Sequence, residues 1–297
     1  MYPIIVVPDG AAVLSEQLGT KAKFWFDGRT RLCKLARMGT GEDWSEKVAA
    51  EIAAALEIPH AYYDLVTWRG RPCAVSYDFL AHAETLVRGN ELIRQEYSEA
   101  LGRFHQSGHT VELVFETLQG CGCLPPSSWP IEPGISSATG VFVAYLMLDA
   151  LIGNTDRHHE NWGVIESGES ENRLCPSFDH ASCLGRELTD SERRTRLDTR
   201  DRNYSVERFA ERARSGLYRK GEIKPLLTVD AFMTAAQLEP VAALQWLRKL
   251  AQIDTESLRK VLLLVPDERL PESAREFASR MLLHNRGRLL DLDFAIE

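Results

Sequence analysis

The chain has 297 residues, 44% of them hydrophobic and 26% charged, with a formal net charge of −8 and a pI near 5.6. That is the composition of an ordinary water-soluble globular protein with apolar material for one large core or two lobes. The acidic balance argues against a general nucleic-acid binder, which is usually basic, and no apolar run reaches the roughly eighteen residues of a membrane span.

The N-terminus, MYPIIVVPDGAAV, lacks the basic start and long apolar region of a secretory signal, so a cytoplasmic location is expected. Gln17 to Lys21 reads as a tight loop. Lys23–Phe26 and Arg31–Leu35 read as strands of a hairpin, joined by Asp27-Gly28-Arg29-Thr30. Trp44 to Leu56 repeats apolar residues at helical spacing (Trp44, Val48, Ile52, Leu56), with Asp43 as the expected N-cap. Tyr62–Thr67 and Cys73–Phe79 are β-branched and aromatic and read as a second hairpin turning over 68–72. Beyond about residue 80 the pattern becomes helical: Glu91–Phe104, then a Gly/Cys/Pro/Ser loop over 120–136, then Ser137–Ile152, apolar on most sides and so a buried helix. Val164-Ile165 and Leu174–Phe178 suggest two short strands. Residues 186–202 contain eleven charges, six of them Arg, and further helices are expected near 204–214, 229–237, 239–250, 254–263 and 271–290. The expected fold class is α+β and two-lobed: a small β-rich N-lobe with one helix over 1–80, and a larger, mainly helical C-lobe over 81–297. The six cysteines are irregularly spaced and read as free thiols; Cys121-Gly122-Cys123 is a poor match to common zinc spacings.

The chemistry concentrates after the buried helix. Asp156 and Asn161 stand five positions apart in a polar loop, and Asp179 follows at the end of an apolar strand. Each alone is an ordinary turn or cap residue. Together they match the layout of phosphoryl transfer, with one carboxylate to receive the acceptor proton and an amide oxygen and a second carboxylate to hold metal. His158 occupies the position where a cationic donor to the transferring group is usual. Lys34 interrupts an apolar strand and Glu46 follows on the next helix, as a strand lysine and its helix glutamate do over ATP phosphates; Glu51 is the second choice for that glutamate. Gly19 and Lys21, with Thr20 between them, could close over the phosphates. Ser76 and Phe79, at the end of the second hairpin, complete the expected nucleotide-binding set. Neither a P-loop nor a Rossmann glycine pattern is present.

On Gly153-Asn154-Thr155-Asp156-Arg157-His158 through Asn161, on Ser177-Phe178-Asp179-His180-Ala181, and on Glu42 to Lys47 leading into Ala49–Leu56, the chain resembles the HipA-like serine/threonine kinases, bacterial enzymes that include toxin halves of toxin–antitoxin pairs. The resemblance covers roughly residues 15–290. It implies a two-lobed kinase fold, ATP with Mg2+, and phosphorylation of protein Ser or Thr, aminoacyl-tRNA synthetases being among the family's targets. It also implies self-phosphorylation in the phosphate loop, with Thr20 or Ser15 as candidates, and in toxin members a small antitoxin protein as partner. The triplet Asp179-His180-Ala181 departs from the Asp-Phe-Gly of eukaryotic kinases. The chain also begins almost at the kinase core and so reads as a short form without the family's additional N-terminal subdomain, which leaves the toxin role open. Two other readings keep the same residues: a kinase-fold phosphotransferase acting on a small-molecule hydroxyl, and a nucleotide-binding regulatory pseudokinase.

Overall fold

A computed structural model describes residues 1–11, 14–16, 22–97, 108–168 and 171–292. The first part of the chain builds a six-stranded sheet from β1 (Ile4–Val7), β2 (Leu14–Glu16), β3 (Lys23–Phe26), β4 (Arg31–Leu35), β5 (Tyr63–Trp68) and β6 (Arg71–Tyr77), in the order β1-β5-β6-β4-β3-β2. All neighbours are antiparallel except β1, which runs parallel to β5. Both expected hairpins form. In the first, Phe26 stands opposite Arg31, and the reversal places Asp27, Gly28 and Arg29 at positive φ.

Helix α1 (Glu42–Ala55) packs on β5 and β6 and buries Trp44, Val48, Ile52 and the flanking Leu56, the expected stripe. Its cap differs from expectation. Gly41 is the N-cap and makes no side-chain capping bond, while Asp43 lies inside the first turn, buried, with its carboxylate accepting from Arg269 Nη1 at 2.9 Å. A distant arginine supplies its counter-charge, and a sequence pattern cannot register a partner 226 positions away.

The later part is mainly helical: α2 (Gly89–Tyr97), α3 (Val111–Gly120), α4 (Ala138–Ile152), α5 (Asp190–Asp198), α6 (Val206–Glu211), α7 (Thr228–Leu238), α8 (Pro240–Gln252), α9 (Thr255–Leu263) and α10 (Glu272–Leu290). Helix α4 is buried along its whole length and contacts α3, α7, α8 and α10, so it is the axis of this half. Ser137 caps it by accepting from Gly140 N–H. Strand β7 (Glu84–Arg88) joins β8 (Gly163–Ser167) and β9 (Arg173–Leu174) in a small sheet of its own, and β10 (Arg214–Tyr218) pairs with β11 (Pro225–Leu227). The architecture is therefore α+β and two-lobed, as expected. Sequence reading did not anticipate β1, β2, β7, α3, α5 or the β10–β11 hairpin. The helix expected over 204–214 is shorter, because Arg214 already belongs to β10. Of the helix expected over Glu91–Phe104, residues 98–104 lie outside the described residues. No helix among the described residues is long and apolar enough to cross a membrane, and all six cysteines are free.

Candidate active site

The loop that follows α4 is shaped by one buried arginine. Gly153 ends the helix in the left-handed conformation (φ 63°), and Asn154 folds back to donate from Nδ2 to Asp149 Oδ1 at 2.8 Å. Arg157, fully buried, donates from Nε and Nη2 to both Asp149 oxygens (2.7 and 2.9 Å), from Nη1 to the Asn161 carbonyl (2.7 Å) and from Nη2 to Ser177 Oγ (3.0 Å). A bidentate, fully hydrogen-bonded pair is the geometry that offsets the cost of burying two charges. Gly216 leaves room for this turn: a Cβ there would stand 2.7 Å from the Arg157 carbonyl carbon. With Arg157 facing inward, Asp156 and His158 on either side of it face outward. Asn161 donates from Nδ2 to the Asp156 carbonyl at 2.8 Å, which leaves its amide oxygen as an acceptor toward the cleft. His158 Nδ1 accepts from Glu160 N–H at 3.1 Å, so the ring proton sits on Nε2, 3.6 Å from Asp156 Oδ1. Ser182 donates to Asp156 Oδ2 at 3.4 Å.

Asp179 lies opposite, in the left-handed region (φ 61°), where a non-glycine residue is strained. Its amide donates to Tyr63 Oη at 3.1 Å, and its Oδ1 accepts from Lys34 Nζ at 3.1 Å. Burial alone would depress Lys34; the carboxylate of Asp179, with Tyr63 and Glu46, outweighs it and holds the ammonium well above its usual range. Glu46 Oε1 accepts from the His180 amide at 2.6 Å. Burial, reinforced by Arg157, keeps His180 neutral. Its Nε2 lies 2.7 Å from Ser177 Oγ and its Nδ1 lies 3.9 Å from Glu46 Oε1. A buried polar chain thus runs from α1 through His180 and Ser177 to Arg157 and the base of α4.

These groups wall a cleft of about 900 Å³ between the sheet and the helices. Lys34, Asp156, His158, Asn161 and Asp179 all line it, although Lys34 and Asp179 are 145 positions apart. Glu46 stands behind Asp179 on α1. Glu51 instead pairs with Lys47 at 2.6 Å. Neither Ser76 nor Phe79 lines the cleft: Ser76 is buried in β6, and Phe79 packs on Phe178, ring centroids 6.0 Å apart. Gly19, Thr20 and Lys21 lie outside the described residues, and Ser15 is placed as the β2 partner of Phe24. Leu80, Leu86 and Phe178 add an apolar wall, and Lys23, Arg37 and Arg186 add cationic groups. Sequence reading did not select these. Arg186 lay within the noted charged run; nothing local distinguished Ser182 or Leu86.

Among the described residues no cluster of three His, Cys, Asp or Glu side chains could hold a metal. The donors present, one carboxylate and one amide oxygen, fit a hard cation that takes its remaining ligands from water and phosphate, as Mg2+ does.

No protein-family model matches the chain, and no curated protein matches it. Solved structures do. A Helicobacter pylori proinflammatory kinase, CtkA, superposes with a TM-score of 0.71 at 22% identity over 97% of this chain and 96% of that one. HipA of a Shewanella oneidensis MR-1 toxin–antitoxin system, in complex with HipB and operator DNA, superposes with a TM-score of 0.57 at 14% identity over 99% of this chain and 70% of that one. The fold is that of the HipA-like kinases. Within this HipA-like fold, the cleft that collects Lys34, Asp156, Asn161 and Asp179 lies where the sheet meets the helices.

Proposed function

We propose that the chain is an ATP- and Mg2+-dependent serine/threonine protein kinase of HipA-like type. The observation that carries this reading is the convergence of Lys34, Asp156, Asn161 and Asp179 on one cleft within a fold shared with the kinase CtkA and with HipA. Leu80, Leu86 and Phe178 offer an apolar slot for a nucleobase. Lys34 presents a firmly protonated ammonium to phosphate oxygens. Asp179 and Asn161 would hold Mg2+, which when bound neutralises charge on the polyphosphate. Asp156 accepts the proton as the acceptor hydroxyl oxygen bonds to phosphorus and the terminal phosphoryl group leaves ADP. His158, with its proton on Nε2, donates a hydrogen bond beside that carboxylate. A toxin role, with a small antitoxin protein as partner, is proposed from the HipA likeness alone, and so is self-phosphorylation on Thr20 or Ser15.

Incubation of purified protein with labelled ATP and Mg2+ tests the reading. Wild type transfers label to protein hydroxyls, and Asp156→Ala loses about 10²–10⁴-fold. Equal labelling by Asp156→Ala would refute the assignment. Label on a small molecule would move the acceptor class. Mass spectrometry of the same samples decides between Thr20, Ser15 and neither.

A further inference from the structure

A second cavity, of about 240 Å³, opens on the far side of the loop that carries Asp156. It shares Thr155 and Ser182 with the cleft. The two residues are joined by the Thr155 N–H bond to the Ser182 carbonyl at 3.0 Å, and Ser182 also contacts Asp156. The floor is small and apolar, formed in part by Gly185 and Ala213, and the outer wall carries Arg196 and Arg212.

The charges on this wall are unbalanced. Arg196 lies flat over Tyr204 and Phe209, 4.1 and 5.0 Å from the ring centroids. It bonds the Tyr204 carbonyl at 3.4 Å, and its Nε has no hydrogen-bond partner. The stacked rings hold the guanidinium without neutralising it. Among the described residues Arg212, Arg194, Arg200 and Arg202 form no ion pair, and all four are exposed. Neighbouring acids are engaged internally: Asp190 with Arg193 and Ser273, Glu192 with the Thr189 cap, Asp201 with Asn203 N–H, Glu207 with Arg280, and Glu211 with Arg208 and His284. Glu192 and Asp201 bond only neutral groups and so keep their charge, as do Glu187 in the cavity wall and Asp198 on α5; Glu192 also acts on Arg196, and Asp190 on Arg194. On a chain of net charge −8, the cavity wall itself carries two arginines, Arg196 and Arg212, against one acid, Glu187.

We propose that this cavity is the docking subsite for an acidic segment of the protein that carries the accepted hydroxyl. Arg196 and Arg212 pair with its carboxylates, and the apolar floor takes the stems of the same side chains. The subsite's role in transfer rests on the kinase reading, but its selectivity for acidic peptide does not require catalysis.

Fluorescence anisotropy with the full chain tests it, using a labelled peptide in which one Ser is flanked by Glu and matched peptides with Gln or Lys at the same positions. The Glu peptide binds about tenfold tighter than the Gln peptide, and the difference shrinks as salt is raised. Arg212→Glu, at an exposed position, erases that preference. Arg196→Ala weakens it about tenfold, with thermal denaturation checking that the α5–α6 packing survives. Equal binding of the Glu and Gln peptides, tighter binding of the Lys peptide, or an unchanged Arg212→Glu would overturn the subsite. Label transfer is scored in the same preparations. Selective binding without any transfer counts against the kinase reading and not the subsite; transfer without selectivity counts against the subsite and not the kinase reading.

Discussion

Asp156 and Asp179 have different surroundings, and those surroundings suit different roles. Asp156 is half-exposed at the cleft, with Ser182 donating to it at 3.4 Å and His158 Nε2 3.6 Å away, so its carboxylate can meet a substrate hydroxyl there. Asp179 is tied to Lys34 and Tyr63 and sits in a strained backbone conformation, so its position is set before any ligand arrives. Asn161 owes its orientation to the Asp156 carbonyl, which takes its amide donor. If Asp179 and Asn161 hold Mg2+, then Asp179→Asn and Asn161→Ala weaken Mg2+-dependent ATP binding while metal-free nucleotide binding changes less. Calorimetry with and without Mg2+ reads this directly. The same Mg2+ dependence in both variants as in wild type would remove the metal role.

At the scale of elements, the loop and α4 are one unit because Arg157 and Asp149 are a buried pair with every bond geometrically good. Arg157→Met would leave Asp149 buried without its counter-charge, and breaking such a pair typically costs about 3–5 kcal/mol. Denaturant titration should show a loss of that size, together with loss of transfer, because the loop between Asp156 and Asn161 depends on the Arg157 bond to the Asn161 carbonyl. Asp149→Leu combined with Arg157→Met should be less destabilising than the sum of the single changes, since it leaves no lone buried charge. A strictly additive double mutant would show that the two residues do not act as a pair.

For the whole molecule, the two lobes are joined by polar links at the cleft. Arg186 pairs with Glu42 of α1 at 2.6 Å and donates to Ser182 Oγ at 3.2 Å, and Ser45 donates to the Ala181 carbonyl at 2.8 Å. Arg269 pairs with Asp43. Buried histidines make the stability of the assembly pH-dependent. His109 accepts from Trp162 Nε1 at 3.0 Å and donates from Nδ1 to the Gly216 carbonyl at 3.0 Å, and burial lowers its pKa to about 3. In the unfolded chain the ring titrates near its ordinary value of about 6.5, so below that pH the unfolded state binds a proton that the folded state does not. Its contribution is complete above pH 6.5 and declines as pH falls toward the folded pKa. Between pH 7 and pH 5 the loss is about 2 kcal/mol from this residue. His180, also neutral by burial, acts in the same direction. Urea titrations at the two pH values should show a smaller decline for His109→Asn than for wild type. Identical declines would mean that His109 is not held neutral in the fold.

The sequence by itself determined the elements and the chemical inventory. Period-two and period-3.6 patterns located both hairpins of the large sheet, α1, α4 and the last four helices, because burial of one face is written locally. The spacing of Asp156, Asn161 and Asp179 was also legible, since short segments between them limit how far apart they can lie. Tertiary structure decided what depends on distant partners. Asp43 became an ion-pair residue because Arg269 reaches it across the fold. β1 and β7 formed because the edge of β5 and the edge of β8 were available to pair with them. Lys34 met Asp179 because β4 and the loop after β9 face one cleft. The unpaired arginines around Arg196 could not be told from a solvated charged run until the neighbouring acids had found their own partners. A charge's partner is a matter of three-dimensional distance, and one-dimensional spacing fixes that distance only within an element or across a short turn.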